Sequence, residues 1–189
     1  MMEFDVAARA CCYRVGALYR RYSDDILIVC KPDYTQALET EIMCLITAEK
    51  LEIAPHKTEK TRFEKGQTVP RTAKAAQYLG FTFDETGAAI RESSLARQWR
   101  KMRRAIRRAQ KSAMWRATAG LSGKVHTKKL YRRFSHIKIY EEGALRTLRN
   151  FSSYGRRSAE AFGTDEKITR QVRRFEQAAQ REIAKLKAL

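Results

Sequence analysis

Cysteine, histidine and long apolar runs are all scarce in this chain, and each scarcity removes a class of explanation. The four cysteines, Cys11, Cys12, Cys30 and Cys44, form no C-x-x-C pair and no cluster with the three histidines. A zinc site is therefore not expected, a disulfide framework has no support, and a reducing cytoplasm is the expected compartment. No stretch approaches the roughly 20 apolar residues of a membrane span, and the opening MMEFDVAARACC has no basic flank followed by a long apolar core. A soluble chain that does not engage a membrane is expected. His56, His126 and His136 have no nucleophile at a recognisable spacing, which leaves histidine acid–base catalysis without support. There is no internal repeat. Negative charge is the deepest shortage: 21 Asp+Glu face 39 Lys+Arg, a formal net charge of +18 over 189 residues. Such a surplus repels itself unless a polyanion neutralises it, which makes nucleic acid the default partner. With 43% hydrophobic residues the chain can bury one compact domain and a helical appendage.

Apolar patterning predicts strands over residues 15–22 and 26–30, so that Asp24 and Asp25 fall at the tip of a hairpin. Pro32-Asp33-Tyr34-Thr35 breaks the second strand, and Leu38, Ile42, Leu45 and Ile46 recur at helical spacing to about Lys50. Residues 51–54 suggest a short strand, and 55–61 and 66–76 suggest polar connections. Tyr78-Leu79-Gly80-Phe81-Thr82-Phe83 reads as one strand, turning at Asp84-Glu85-Thr86-Gly87 to pair with residues 88–91. Ser93-Ser94 then opens a long helix. Leu95, Trp99, Met102, Ile106, Ala109 and Ala113 form its one apolar stripe, while Arg97, Arg100, Lys101, Arg103, Arg104, Arg107, Arg108 and Lys111 cover the other faces. Solvated helix faces usually mix signs. This one has no acid between Arg97 and Arg116, so phosphate contact is the better reading. After a break at Gly120 and Gly123, helical spacings recur in Leu130, Phe134 and Ile137, in Leu145, Leu148 and Phe151, and in Ile168, Val172, Phe175, Ile183 and Leu186, with Thr164 as the cap of the last helix. The expected class is α+β, with a hairpin, one packed helix and a second hairpin over residues 1–92 and a basic helical bundle over 93–189.

Two neighbouring carboxylates at a tight turn repel each other, where an ordinary hairpin would carry Asn-Gly or Asp-Gly. A divalent cation removes that repulsion. Mg²⁺ takes hard oxygen ligands and is commonly held by one or two carboxylates together with substrate phosphates, which suits a basic protein. A solvated Asp-Asp turn is the plain alternative, but an aromatic residue two positions ahead of the pair and an apolar strand behind it make a narrower pattern than two acids alone.

Tyr22-Ser23-Asp24-Asp25 resembles the Y-x-D-D motif of reverse transcriptases. His56-Lys57-Thr58-Glu59 resembles the family's lysine-bearing loop after the palm helix, and Tyr78-Leu79-Gly80-Phe81 resembles the L-G hairpin that grips the primer end. The order of these segments, followed by a basic S-S-L-x-R-x-x-R-K-M helix, is most similar to bacterial reverse transcriptases of the group II intron, retron and antiphage-defence type. The resemblance implies the C-terminal half of a polymerase palm over residues 1–92 and a thumb-like domain over 93–189. It covers about 100 residues by motif.

On that resemblance, Asp24, and with it Asp25, would hold Mg²⁺ against a deoxynucleoside triphosphate and the primer 3′ oxygen. Tyr22 would pack beneath the primer terminus, its alternative being a core aromatic, and Ser23 would leave room for nucleic acid. Lys57 would supply a proton or charge to the pyrophosphate leaving group; its alternative is one more surface lysine. Tyr78, Leu79, Gly80 and Phe81 would form the primer grip, and the arginine-rich helix would contact an RNA template or RNA–DNA duplex. The departure from the family is equally definite: nothing in residues 1–21 supplies its earlier catalytic aspartate or its Q-G-x-x-x-S segment, and Asp5 is the one aspartate ahead of the hairpin. The two-metal site is thus expected to be incomplete and this chain alone inactive. A split polymerase completed by a second polypeptide that supplies the fingers and the first palm aspartate, a truncated product, and a remnant kept for binding nucleic acid all remain open.

Overall fold

The computed structural model describes residues 2–53, 57–64, 74–141, 144–163 and 166–186. The class is α+β, with helices and small antiparallel hairpins. The chain divides into two compact units, Met1–Leu79 and Gly80–Leu189.

In the first unit α1 (Met2–Arg14) leads into β1 (Leu18–Tyr22) and β2 (Asp25–Val29), followed by a 3-10 turn at Pro32–Tyr34, α2 (Thr35–Ala48) and β3 (Ala76–Tyr78). Gly16 ends α1 at φ +67°, and the Ala17 N–H closes back on the Cys12 carbonyl at 2.8 Å, a left-handed C-terminal cap. Residues 15–17 are spent on that cap, so the first strand starts later than its apolar pattern suggested. Phe4, Ala8 and Cys12 on α1 and Leu38, Ile42 and Ile46 on α2 recur every four residues, and with Tyr19 of β1 they form the core. Ile26 and Ile28 pack onto it from β2. Residues 51–53 are irregular rather than a strand, and Ala54 and His56 lie outside the described residues.

The second unit begins with β4 (Phe81–Asp84) and β5 (Gly87–Ile90), paired from Phe81↔Ile90 to Asp84↔Gly87. The expected strand over residues 78–83 is interrupted because Leu79 and Gly80 both lie at positive φ, +49° and +84°. Then come α3 (Glu92–Thr118), α4 (Lys128–Phe134), β6 (Lys138–Glu141), β7 (Ala144–Thr147), α5 (Phe151–Ala161) and α6 (Glu166–Lys185). Ser93 and Ser94 are not the start of α3. Arg91 occupies the cap without a side-chain hydrogen bond, and Glu92 in the first turn meets the positive end of the helix dipole. The stretch around Ile137 and Leu145, expected to be helical, is the β6–β7 hairpin, paired from Lys138↔Thr147 to Glu141↔Ala144. The Ile139-Tyr140 pair favours a strand, and Asn150 keeps α5 from extending backward. The Asn150 carbonyl oxygen Oδ1 accepts the Ser153 N–H at 3.0 Å, and its Nδ2 donates to the carbonyls of Arg132 and Ser135 at 3.0 and 2.7 Å. One side chain therefore caps the start of α5 and the end of α4. Thr164 lies outside the described residues.

Three helices converge on Phe175 of α6, which is fully buried. Trp99 of α3, Phe134 of α4 and Phe151 of α5 each meet its ring edge-on, at centroid separations of 5.5, 6.4 and 5.1 Å. A second cluster joins Phe81, Ala88 and Ile90 to Ala159 of α5 and to Ile168 and Val172 of α6. The β4–β5 hairpin is clamped to α6 at both ends. Gln171 accepts the Ile90 N–H at 2.8 Å and donates to the Ile90 carbonyl at 3.0 Å, while Lys167 Nζ reaches both Asp84 oxygens at 2.7 Å. Burial opposes ionisation of Asp84, but Lys167 and the two Thr86 donors outweigh it, and its carboxyl is held below the usual value.

Candidate functional site: the acidic hairpin and the cationic helix

The β1–β2 register fixes which side chains share a face. Tyr19 pairs with Ile28 and Arg21 with Ile26 on the core side; Leu18 with Val29, Arg20 with Leu27 and Tyr22 with Asp25 lie on the outer side. Ser23 and Asp24 make the two-residue turn, with Ser23 at φ +57°. Tyr22, Ser23, Asp24 and Asp25 are all exposed. Tyr22, at 66% exposure, is no core aromatic, which removes one of its two sequence readings. Among the described residues neither Asp24 nor Asp25 is ion-paired or hydrogen-bonded through its side chain.

The turn is held from below by residues that the motif did not point to. Asp5 of α1 accepts the Tyr19 hydroxyl on Oδ1 and the Arg21 guanidinium on Oδ2, both at 2.7 Å. Arg21 also donates to the Ser23 carbonyl at 3.3 Å and lies 6.0 Å over the Phe4 ring. A chain of contacts thus runs from α1 through Arg21 to the backbone of the turn, and it commits both oxygens of Asp5 to the scaffold. The pattern of Tyr19 and Arg21 alternating with exposed residues was the one available signal for this.

The hydrogen bond from Tyr19, then that from Arg21, holds the Asp5 carboxyl below its usual range, while burial and Asp5 push the Tyr19 phenol up. The sign follows directly: a lowered folded value favours the ionised form, so the stabilisation is complete above the ordinary carboxylate pKa of about 3.9 and is lost as pH falls through the folded value. Thermal unfolding followed across acid pH should show wild type more stable than Asp5→Asn near neutrality, with the gap closing below about pH 4. A gap independent of pH would remove Asp5 as the anchor of the turn.

Tyr78, half-buried on β3, has its phenol pushed up by burial and by the negative charge of Asp25, against a smaller opposite effect of Arg20. Leu79 is exposed, whereas Phe81 is buried against Tyr154 and Phe162 at 6.0 and 5.2 Å, so its side chain serves the core of the second unit. Lys57 is exposed on a segment tied to α2 by a 2.6 Å ion pair between Lys60 and Glu39, and no described contact joins Lys57 to Asp24 or Asp25. No three His, Cys, Asp or Glu side chains group together among the described residues.

On α3 the apolar stripe behaves as its spacing predicts: Met102, Ile106 and Ala113 are buried, and Trp99, Leu95 and Ala109 are half-buried. Arg97, Arg100, Lys101, Arg103, Arg104, Arg107, Arg108 and Lys111 are all exposed, and none forms an ion pair among the described residues. Arg103 differs from the rest, since it lies 5.9 Å over the Trp99 ring, and its charge adds to the larger effect of Lys185 in lowering the Glu182 carboxyl. Trp115, 70% exposed near the end of the same helix, adds an aromatic surface to the cationic one. Among the described residues no helix is long and apolar enough to cross a membrane. No protein-family model and no curated protein sequence matches the chain.

Proposed function

We propose that this chain is the C-terminal palm and thumb portion of an RNA-directed DNA polymerase of the bacterial reverse-transcriptase type, working in the cytoplasm and needing fingers and a further palm aspartate that residues 1–21 do not supply. The observation that carries this reading is the acidic doublet itself: Asp24 and Asp25 stand exposed, with no side-chain hydrogen bond or ion pair among the described residues, on a turn braced through Arg21 and Asp5. A purely structural turn would have no use for two unpaired acids braced in this way.

The donor set fits half of a two-ion site. Asp24 and Asp25 offer hard oxygen ligands suited to Mg²⁺, while Asp5, bound to Tyr19 and Arg21, is not available as a third. Mg²⁺ bound by these carboxylates would stabilise charge on the attacking and leaving oxygens of nucleotidyl transfer. The chain's own groups do the rest: Arg21 keeps the carboxylates aimed outward, Tyr22 and Tyr78 offer apolar surface beside Asp25 for a primer terminus, and the α3 cations neutralise duplex phosphates. Lys57 is a candidate proton donor to pyrophosphate on the family resemblance alone.

A second reading, a nucleic-acid-binding protein derived from such an enzyme and without catalysis, is favoured by the engagement of both Asp5 oxygens with Tyr19 and Arg21. Primer extension on an RNA template with Mg²⁺ and deoxynucleotides separates the two, run on the chain alone and on the chain co-expressed with the polypeptide encoded immediately upstream. Extension only with that partner, abolished by Asp24→Asn, is expected. Failure in both arms, with salt-sensitive duplex binding retained, leaves the binding protein.

A further inference from the structure

The second unit contains a hollow that the polymerase reading does not use. It has a volume of about 540 Å³ and lies between α4 and the β6–β7 hairpin. Its apolar surface comes from Ile137 and Ile139, its aromatic walls from Tyr131 and Tyr140, and its cations from Lys128 and Arg132. Lys128 and Arg132 stand four residues apart on α4 and so share one helix face. Both are exposed and neither is ion-paired among the described residues. Tyr140 is 75% exposed, a large aromatic left in solvent beside these two cations.

We infer that this hollow is a binding site for single-stranded nucleic acid, taking one unstacked base against the exposed ring of Tyr140 with the flanking phosphates on Lys128 and Arg132. The volume falls within the roughly 300–1,000 Å³ of ordinary small-ligand sites, enough for a nucleotide. The lining pairs a stacking surface with cations, the combination by which single strands are held without sequence preference. A duplex does not meet this geometry, because its base faces are already stacked and only an extruded or unpaired base can enter a hollow. The arrangement also differs in kind from α3, whose arginines line a long helix face rather than a hollow. The inference rests on nucleic acid being the partner, and not on polymerase chemistry.

The test is fluorescence anisotropy of the full chain with labelled oligo(dT), and with a labelled RNA–DNA duplex, over a range of salt. Tyr140→Ala is expected to weaken oligo(dT) binding roughly 10-fold, as loss of one stacked base does, with duplex affinity unchanged and Tyr140→Phe retaining single-strand binding. The exposure of Tyr140 keeps this variant folded. Lys128→Ala with Arg132→Ala should flatten the salt dependence for oligo(dT) by about 1.4, at ~0.7 per phosphate. Unchanged oligo(dT) affinity in Tyr140→Ala, or equal losses for single strand and duplex, overturns the inference while duplex binding by wild type upholds the broader reading. Wild-type protein that binds neither probe overturns both.

Discussion

Phe175→Ala is expected to cost the second unit about 3–5 kcal/mol, the usual range for emptying a large aromatic site in a core, and to abolish its cooperative thermal transition. The physical reason is positional. Phe175 is fully buried and is the ring on which Trp99, Phe134 and Phe151 converge, so its loss opens a cavity that touches α3, α4, α5 and α6 together. A loss of that size is a large share of the whole stability of a small domain, about 5–15 kcal/mol. Far- and near-ultraviolet circular dichroism on heating reads the result. Phe175→Leu, which refills most of the volume, should keep a cooperative transition at lower temperature. If Phe175→Ala melts as wild type does, the convergence on Phe175 is not what holds this unit together.

The second large effect is electrostatic. Replacing Arg100, Arg104, Arg107 and Arg108 by alanine should lower duplex affinity at low salt roughly 100-fold or more and make the slope of log K against log salt shallower by as much as about 3.6, at ~0.9 per phosphate neutralised. Arg103 is better left in place, because its stacking on Trp99 mixes a packing loss into the measurement. All four substituted side chains are exposed, and alanine favours helix, so the melting temperature should hold or rise. An unchanged slope would mean that these cations do not meet phosphates, and the thumb assignment would fall with it.

Which features could be read from the sequence follows from where the information resides. The hairpin with the acidic tip, the α2 stripe and the buried line along α3 are local: period and turn chemistry specify them, and Leu38, Ile42, Met102 and Ile106 are buried as their spacing requires. The β6–β7 hairpin was not legible, since Leu145, Leu148 and Phe151 at intervals of three fit a helix as well as a strand and a cap. Asn150 with Ser153 three residues on was the missed signal. The break at Leu79 was invisible because an exposed leucine at positive φ has no signature in composition. At the site, the exposed carboxylates belong to a motif, whereas their brace, Asp5 with Tyr19 and Arg21, joins positions 14 and 16 residues apart and exists only once α1 lies against the hairpin.

The dependence of the second unit on α6 has a temporal side. The Lys167 and Gln171 clamps close on residues more than 80 positions earlier, and Phe175 completes the core against which α3 packs. At about 5–20 residues per second, synthesis of the stretch from the end of α3 to the end of α6 takes several seconds. For that interval a helix dense in arginine waits without its apolar partner, beside a ribosome whose own surface is largely RNA. Order of manufacture thus sets a hazard that equilibrium stability does not reveal: the phosphate-seeking face is made first, and the side chains that lock its scaffold arrive last.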